Sequence, residues 1–138
     1  MSAFDTDILS GILYANPVYT ARLAAIPQAD RVLPVVALEE VLRGRLNSIR
    51  RAQAANSRIT PDRAYFMFQA ACEDTRPYRI LPYTAAADTF FKQWRTKIRI
   101  GTQDLRIAAI CLVHGARLIT RNARDYALVP SLNLEIWN

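Results

Sequence analysis

The acidic residues of this 138-residue chain fall where chemistry could use them, directly after short apolar runs. Asp5 and Asp7 follow "SAF" with only Thr6 between them. Glu39 and Glu40 follow "VLPVVAL", Asp104 follows "IGTQ", and Asn122 and Asp125 follow "RLITR". Taken singly, each acid has an ordinary explanation: Asp104 complements a helix dipole, Glu40 is a charge on an exposed face, and Asp125 is a loop residue. Taken together they call for a cation. Two carboxylates ~4 Å apart repel by roughly 4 kcal/mol at an effective dielectric near 20, and four would strain a marginally stable domain. The donors are all hard oxygens with no nearby Cys or His, which favours Mg²⁺ or Mn²⁺ over zinc. Magnesium held by carboxylates binds phosphates and lowers the pKa of an attacking water, so the chemistry expected is phosphodiester cleavage. His114, the one histidine, is ten residues beyond Asp104 on the same expected helix, roughly 15 Å away, which argues against a histidine base.

Those acids can converge only if the intervening elements bring them to one edge. Five β-like runs stand out, at Ser2 to Phe4, Val32 to Val36, Arg79 to Leu81, Arg117 to Thr120 and Leu134 to Trp137. Helical patterns lie between them. Residues 38 to 54 place Leu38, Val41, Leu42, Leu46 and Ile49 on one face and leave Arg43, Asn47 and Arg50 outside. Thr60 and Pro61 begin another helix, Thr102 is the expected N-cap of a further one, and Gly115 suits its left-handed C-cap. Strands alternating with helices imply parallel β-α-β units and a sheet covered on both faces, with ligands beyond the carboxyl ends of the strands. The length is that of one domain, residues 1–138, without internal repeat or linker.

Eighteen basic residues oppose twelve acidic ones, a net charge of +6, and sixteen of the basic residues are Arg, whose planar fork suits phosphate. Residues 41 to 63 alone carry Arg43, Arg45, Arg50, Arg51, Arg58 and Arg63 against Asp62. An acidic start and the lack of any apolar run of about 18 residues predict a cytoplasmic protein with no membrane association. Cys72 and Cys111 lack metal or redox spacing and are expected to be small buried hydrophobes.

Four segments, "FDTDIL", "LEEVLRG", "IGTQDLRIAA" and "LITRNARDY", in this order and spacing resemble the PIN-domain ribonuclease toxins of the VapC type, over about Ser2 to Trp137. The resemblance implies an α/β, PIN-like three-layer domain with a central parallel sheet of about five strands flanked by helices. It further implies a homodimer that cuts RNA with Mg²⁺ or Mn²⁺ and a cognate antitoxin whose C-terminal segment blocks the site. Position by position, Asp5, Glu40 and Asp104 match the family's first three acids. Asp125 takes the fourth acidic role, with Asn122 as a hydrogen-bonding support. Glu39 competes for the second position, and the spacing to Gly44 decides for Glu40. Asp7 either adds charge or caps the following helix from Ile8 to Tyr14, and capping is the reading preferred. Thr6, Arg50, Arg51, Arg121 and Arg124 are expected to contact substrate. The antitoxin is expected on the apolar, Arg-bordered face of helices 38 to 54 and 60 to 74. Two rival readings remain: a haloacid-dehalogenase-like phosphatase with Asp5 as nucleophile, and a non-catalytic RNA- or protein-binding PIN module.

Overall fold

Strand β1 (Ser2–Phe4) is buried along its whole length, so both faces of its sheet must be covered. In the computed structural model, which describes Met1–Asn138, helices provide that cover. The chain continues through α1 (Thr6–Leu13), α2 (Pro17–Ala24), a 3₁₀ turn (Gln28–Asp30), β2 (Arg31–Pro34), α3 (Val35–Ala52) and α4 (Pro61–Thr75). It closes with β3 (Arg79–Leu81), α5 (Ala85–Trp94), α6 (Thr102–His114), β4 (Arg117–Thr120), α7 (Ala123–Tyr126) and β5 (Leu134–Ile136).

The strands form one sheet in the order β3-β2-β1-β4-β5, with every neighbouring pair parallel. The chain runs outward from β1 through β2 and β3, then crosses back to β4 and β5. Strand order therefore reverses between β1 and β4, the point at which open α/β sheets leave a crevice.

Successive side chains of the strands point to opposite faces, and each face has its own apolar cluster. Ala3, Val32 and Leu118 pack with Leu105, Ile107, Ala108 and Cys111 of α6. Phe4, Leu33 and Ile119 pack on the other side with Ile8 and Leu9 of α1, Tyr19 of α2 and Trp137. Trp137 lies just past β5, 6.0 Å from Phe4 and 5.8 Å from Tyr19 between ring centres. Its backbone N–H extends the pairing to Thr120 O at 2.9 Å. No helix is long and apolar enough to cross a membrane.

Several local expectations shift. The run from Val32 to Val36 is divided: Pro34 ends β2 and Val35 begins α3. A short apolar run reads alike in a strand and a buried helix, and Pro confines the preceding residue to extended backbone while suiting a helix start. Helix α1 starts at Thr6, with Asp5 rather than Asp7 as its N-cap, and Asp7 is exposed in the first turn. Gly101, not Thr102, caps α6. On α3 the buried stripe runs Val41, Arg45, Ile49 and Ala52, while Leu46 is 53% exposed. These four follow near-helical spacing, so Arg45 occupies the place expected for Leu46, about 100° around the helix. Cys111 is buried but Cys72 is exposed on α4.

Gly115 ends α6 in the left-handed region, at φ 64°, with open space around its missing side chain. The strain on a side chain there is backbone strain alone. Gly115→Ala should therefore lower the unfolding free energy by about 1 kcal/mol in urea titrations, leaving the slope with denaturant unchanged.

Candidate functional site

Asp5 follows β1 at the reversal of strand order, and the neighbouring strand determines its setting. Its N–H donates to Ile119 O of β4 at 3.0 Å. It is 6% exposed, and its carboxylate accepts three hydrogen bonds. Thr6 N–H (2.8 Å) and the Tyr126 hydroxyl (3.2 Å) reach Oδ1, and Thr120 Oγ1 reaches Oδ2 at 2.7 Å. Burial pushes the Asp5 carboxyl above the usual carboxylate range, and these three donors work against that shift. The charge of Asp7 adds to it, so Asp7 acts on the site through the field.

The other acids stand around this centre. Glu40, in the second turn of α3, accepts a hydrogen bond from Thr6 Oγ1 at 2.6 Å, so Thr6 bridges the first two acids through its backbone and side chain. Glu39 faces elsewhere: it pairs with Arg43 and accepts from Gln103 Nε2 at 2.9 Å. Adjacent helical residues are about 100° apart, so the two cannot share a side.

Asp104, in the first turn of α6, is half-buried. Its pKa is pushed up to about 6 by burial and then by the charge of Asp5, with Glu40 and Asp125 acting in the same sense and the Tyr126 hydroxyl in the opposite one. Asp125 is held by Asn122, which caps α7: Asn122 Oδ1 accepts from Asp125 N–H at 3.3 Å, and its amide donates to Asp125 Oδ2 at 3.1 Å. Asn122 N–H in turn donates to Thr120 Oγ1 at 3.0 Å. The Tyr126 phenol is driven far up by burial, followed by the charges of Asp5 and Asp104, so it remains a donor.

Asp104 thus feels the charges of acids from three other elements, and none of the four takes part in any of the three ion pairs of a chain with eighteen basic residues. No three acidic, His or Cys side chains are set closely enough to hold a metal ion by themselves. The donor set suits Mg²⁺ or Mn²⁺ on chemical grounds. Such ions accept carboxylate oxygens, keep several waters, and need only one or two direct protein ligands.

Around the rim, Arg121 and Arg124 are exposed beside Thr120 and Asn122. Arg51 lies eleven residues after Glu40, hence on nearly the same side of α3, and lines a cleft with Glu40 and Thr6. Arg50 is exposed and is not among the residues lining that cleft. His114 is remote, its Nδ1 2.9 Å from Ile110 O at the far end of α6. The sequence reading overlooked Thr120 and Tyr126, the two side-chain donors to Asp5. The available signal was their place at the ends of "RLIT" and "RNARDY".

No protein-family profile matches the chain. A stretch of 64 residues is 30% identical to "Ribonuclease VapC2" of Rickettsia felis, amounting to 43% of this chain and about half (48%) of that protein. The fold matches the structure of VapBC2 from Rickettsia felis bound to a DNA fragment from its promoter, with a TM-score of 0.75 at 18% identity, over 99% of this chain and 98% of that one. It also matches VapBC-5 from Mycobacterium tuberculosis, with a TM-score of 0.60 at 26% identity, over 98% of this chain and 95% of that one. The resemblance to VapC-type PIN toxins read from the sequence therefore holds, and the five-stranded parallel sheet flanked by helices is their fold.

The clustered charge makes stability depend on pH. Asp104 has a raised pKa in the folded state, so its contribution is fully present below about 3.8 and is lost as pH rises through about 6. In EDTA, wild type should be less stable at pH 7.5 than at pH 5. Asp104→Asn should be stabilised at pH 7.5 and show a flatter profile in urea unfolding.

Proposed function

We propose that this chain, with the fold of the VapC-type PIN toxins, is a Mg²⁺- or Mn²⁺-dependent endoribonuclease. Its reaction is hydrolysis of an RNA phosphodiester bond in the cytoplasm of a bacterial or archaeal cell, and its role is the toxin of a toxin–antitoxin pair. The observation that supports the reading best is the set of four acids on one rim, without a basic partner, beside the reversal of strand order.

Asp5, Glu40, Asp104 and Asp125 would hold one or two ions, in part through bound waters, and the ions would supply an activated water and offset charge on the leaving oxygen. The chain's own part is positioning. Thr120, Tyr126 and Thr6 N–H fix both oxygens of Asp5. Thr6 Oγ1 fixes Glu40, and Asn122 fixes Asp125. Arg121, Arg124 and Arg51 would take phosphates on either side without reading bases.

The proposed antitoxin surface is the exposed apolar group of Leu46 on α3 with Tyr65 and Phe66 on α4, where Arg63 lies 5.6 Å from the centre of the Phe66 ring. A homodimer is the assembly proposed. The phosphatase alternative needs a lysine at Asp5. Lys92 is instead paired with Asp88 at 3.0 Å, and no ion pair reaches Asp5.

The test is purified, partner-free protein incubated with total bacterial RNA, with Mg²⁺ or with EDTA. Discrete cleavage should require the metal. Asp5→Asn should reduce it by more than about 100-fold with the fold intact, and Thr120→Val by about 10- to 100-fold, as expected of a group that orients a ligand. A folded protein that cuts nothing with Mg²⁺ or with EDTA would instead be a binding module.

A further inference from the structure

Only two charged residues are buried, Asp5 and Arg45. Asp5 has three donors; Arg45 has no carboxylate. At 8% exposure its guanidinium donates from Nη1 to the Tyr14 hydroxyl and lies 4.4 Å from the centre of the Tyr14 ring, while its buried Nε has no acceptor. A buried cation left in this state is costly unless an anion joins it.

Arg45 lines a cleft of about 250 Å³ together with Ser10, Gly44, Ser48 and Arg51, and the same cleft is lined by Thr6 and Glu40 of the acid rim. Its size is below the roughly 300–1,000 Å³ of sites for drug-sized ligands and suits a phosphate with its sugar. Gly44 is in the interior of α3, where Gly costs about 1 kcal/mol relative to Ala, yet a Cβ there would meet nothing within 4 Å. Packing within this chain does not explain it. An open floor to the cleft does.

We infer that this cleft binds a backbone phosphate of single-stranded RNA beside the phosphate to be cut, with Arg45 as its buried counter-charge and Arg51, held by Ser48 Oγ, completing the contact. The inference rests on the nuclease reading. Ser48 Oγ donates to Gly44 O at 3.1 Å and accepts from Arg51 Nη2 at 3.3 Å, so the donors free for a ligand are those of the two guanidinium groups, whose planar forks match the non-bridging oxygens of a phosphodiester. Continuity with Thr6 and Glu40 places the cleft along a strand that also crosses the acids.

The test is fluorescence anisotropy of a labelled ten-nucleotide 2′-O-methyl RNA, titrated with the full chain in EDTA, so that binding is read without turnover. Arg45→Gln should weaken binding at least ~10-fold and flatten the dependence of log K on log salt by about 0.7, the value for one lost phosphate contact on a single strand. Gly44→Leu keeps every charge but fills the cleft, and should weaken binding similarly. It serves also if Arg45→Gln proves unfolded by circular dichroism. Wild-type affinity in the folded variants would overturn the inference. So would unchanged RNA binding accompanied by loss, at Arg45→Gln, of affinity for a ten-residue polyglutamate, which would assign the cleft to an acidic protein segment. Absence of cleavage in the Asp5 experiment would overturn the nuclease reading and leave this binding result standing.

Discussion

The hydrogen bond from Thr120 to Asp5 joins the end of β4 to the end of β1, and most of the site depends on it. A carboxylate at the reversal of strand order is nearly out of water, where an unpaired charge would be expelled or neutralised. Thr120, Thr6 and Tyr126 supply the donors that keep it there. Thr120 also accepts from Asn122, which starts α7 and holds Asp125, and α7 carries Tyr126 back to Asp5. A closed circuit of polar contacts thus ties together the first acid, the fourth acid and the two central strands. Its members are rigid because the strands beneath them are packed on both faces.

The distribution of charge follows two separate rules. Along the acid rim, burial and then the charge of Asp5 raise Asp104 to about 6, a pattern that clusters at functional sites. Away from the rim, most Arg residues are exposed and could be solvated without consequence. Arg45 departs from that pattern, since it enters the core stripe of α3 and gains an aromatic ring and one hydroxyl but no anion. Arg45 lines one cleft with Thr6 and Glu40, and Thr6 N–H is also a donor to Asp5, the other buried charge.

Much of this was legible in the residues themselves. Alternation of short apolar runs with amphipathic stretches determines a parallel sheet wrapped by helices, because only such a sheet can bury both faces of β1, β2 and β4. Gly115 marks the end of α6 because only glycine accepts its backbone angle without strain. The acids after apolar runs could be named for the same reason: strand ends in such a fold share a rim. What only the tertiary structure decided are features in which several equivalent local choices exist. Pro34 could have ended or continued an apolar run, and Asp5 or Asp7 could have capped α1. Leu46 or Arg45 could have entered the core, and the outcome depends on what α1 places opposite α3. Thr120 and Tyr126 gained their roles from partners more than a hundred residues away, and no local pattern encodes a hydrogen bond across that distance. Periodicity is a property of the chain, whereas the pairing of buried polar groups is a property of the space between elements.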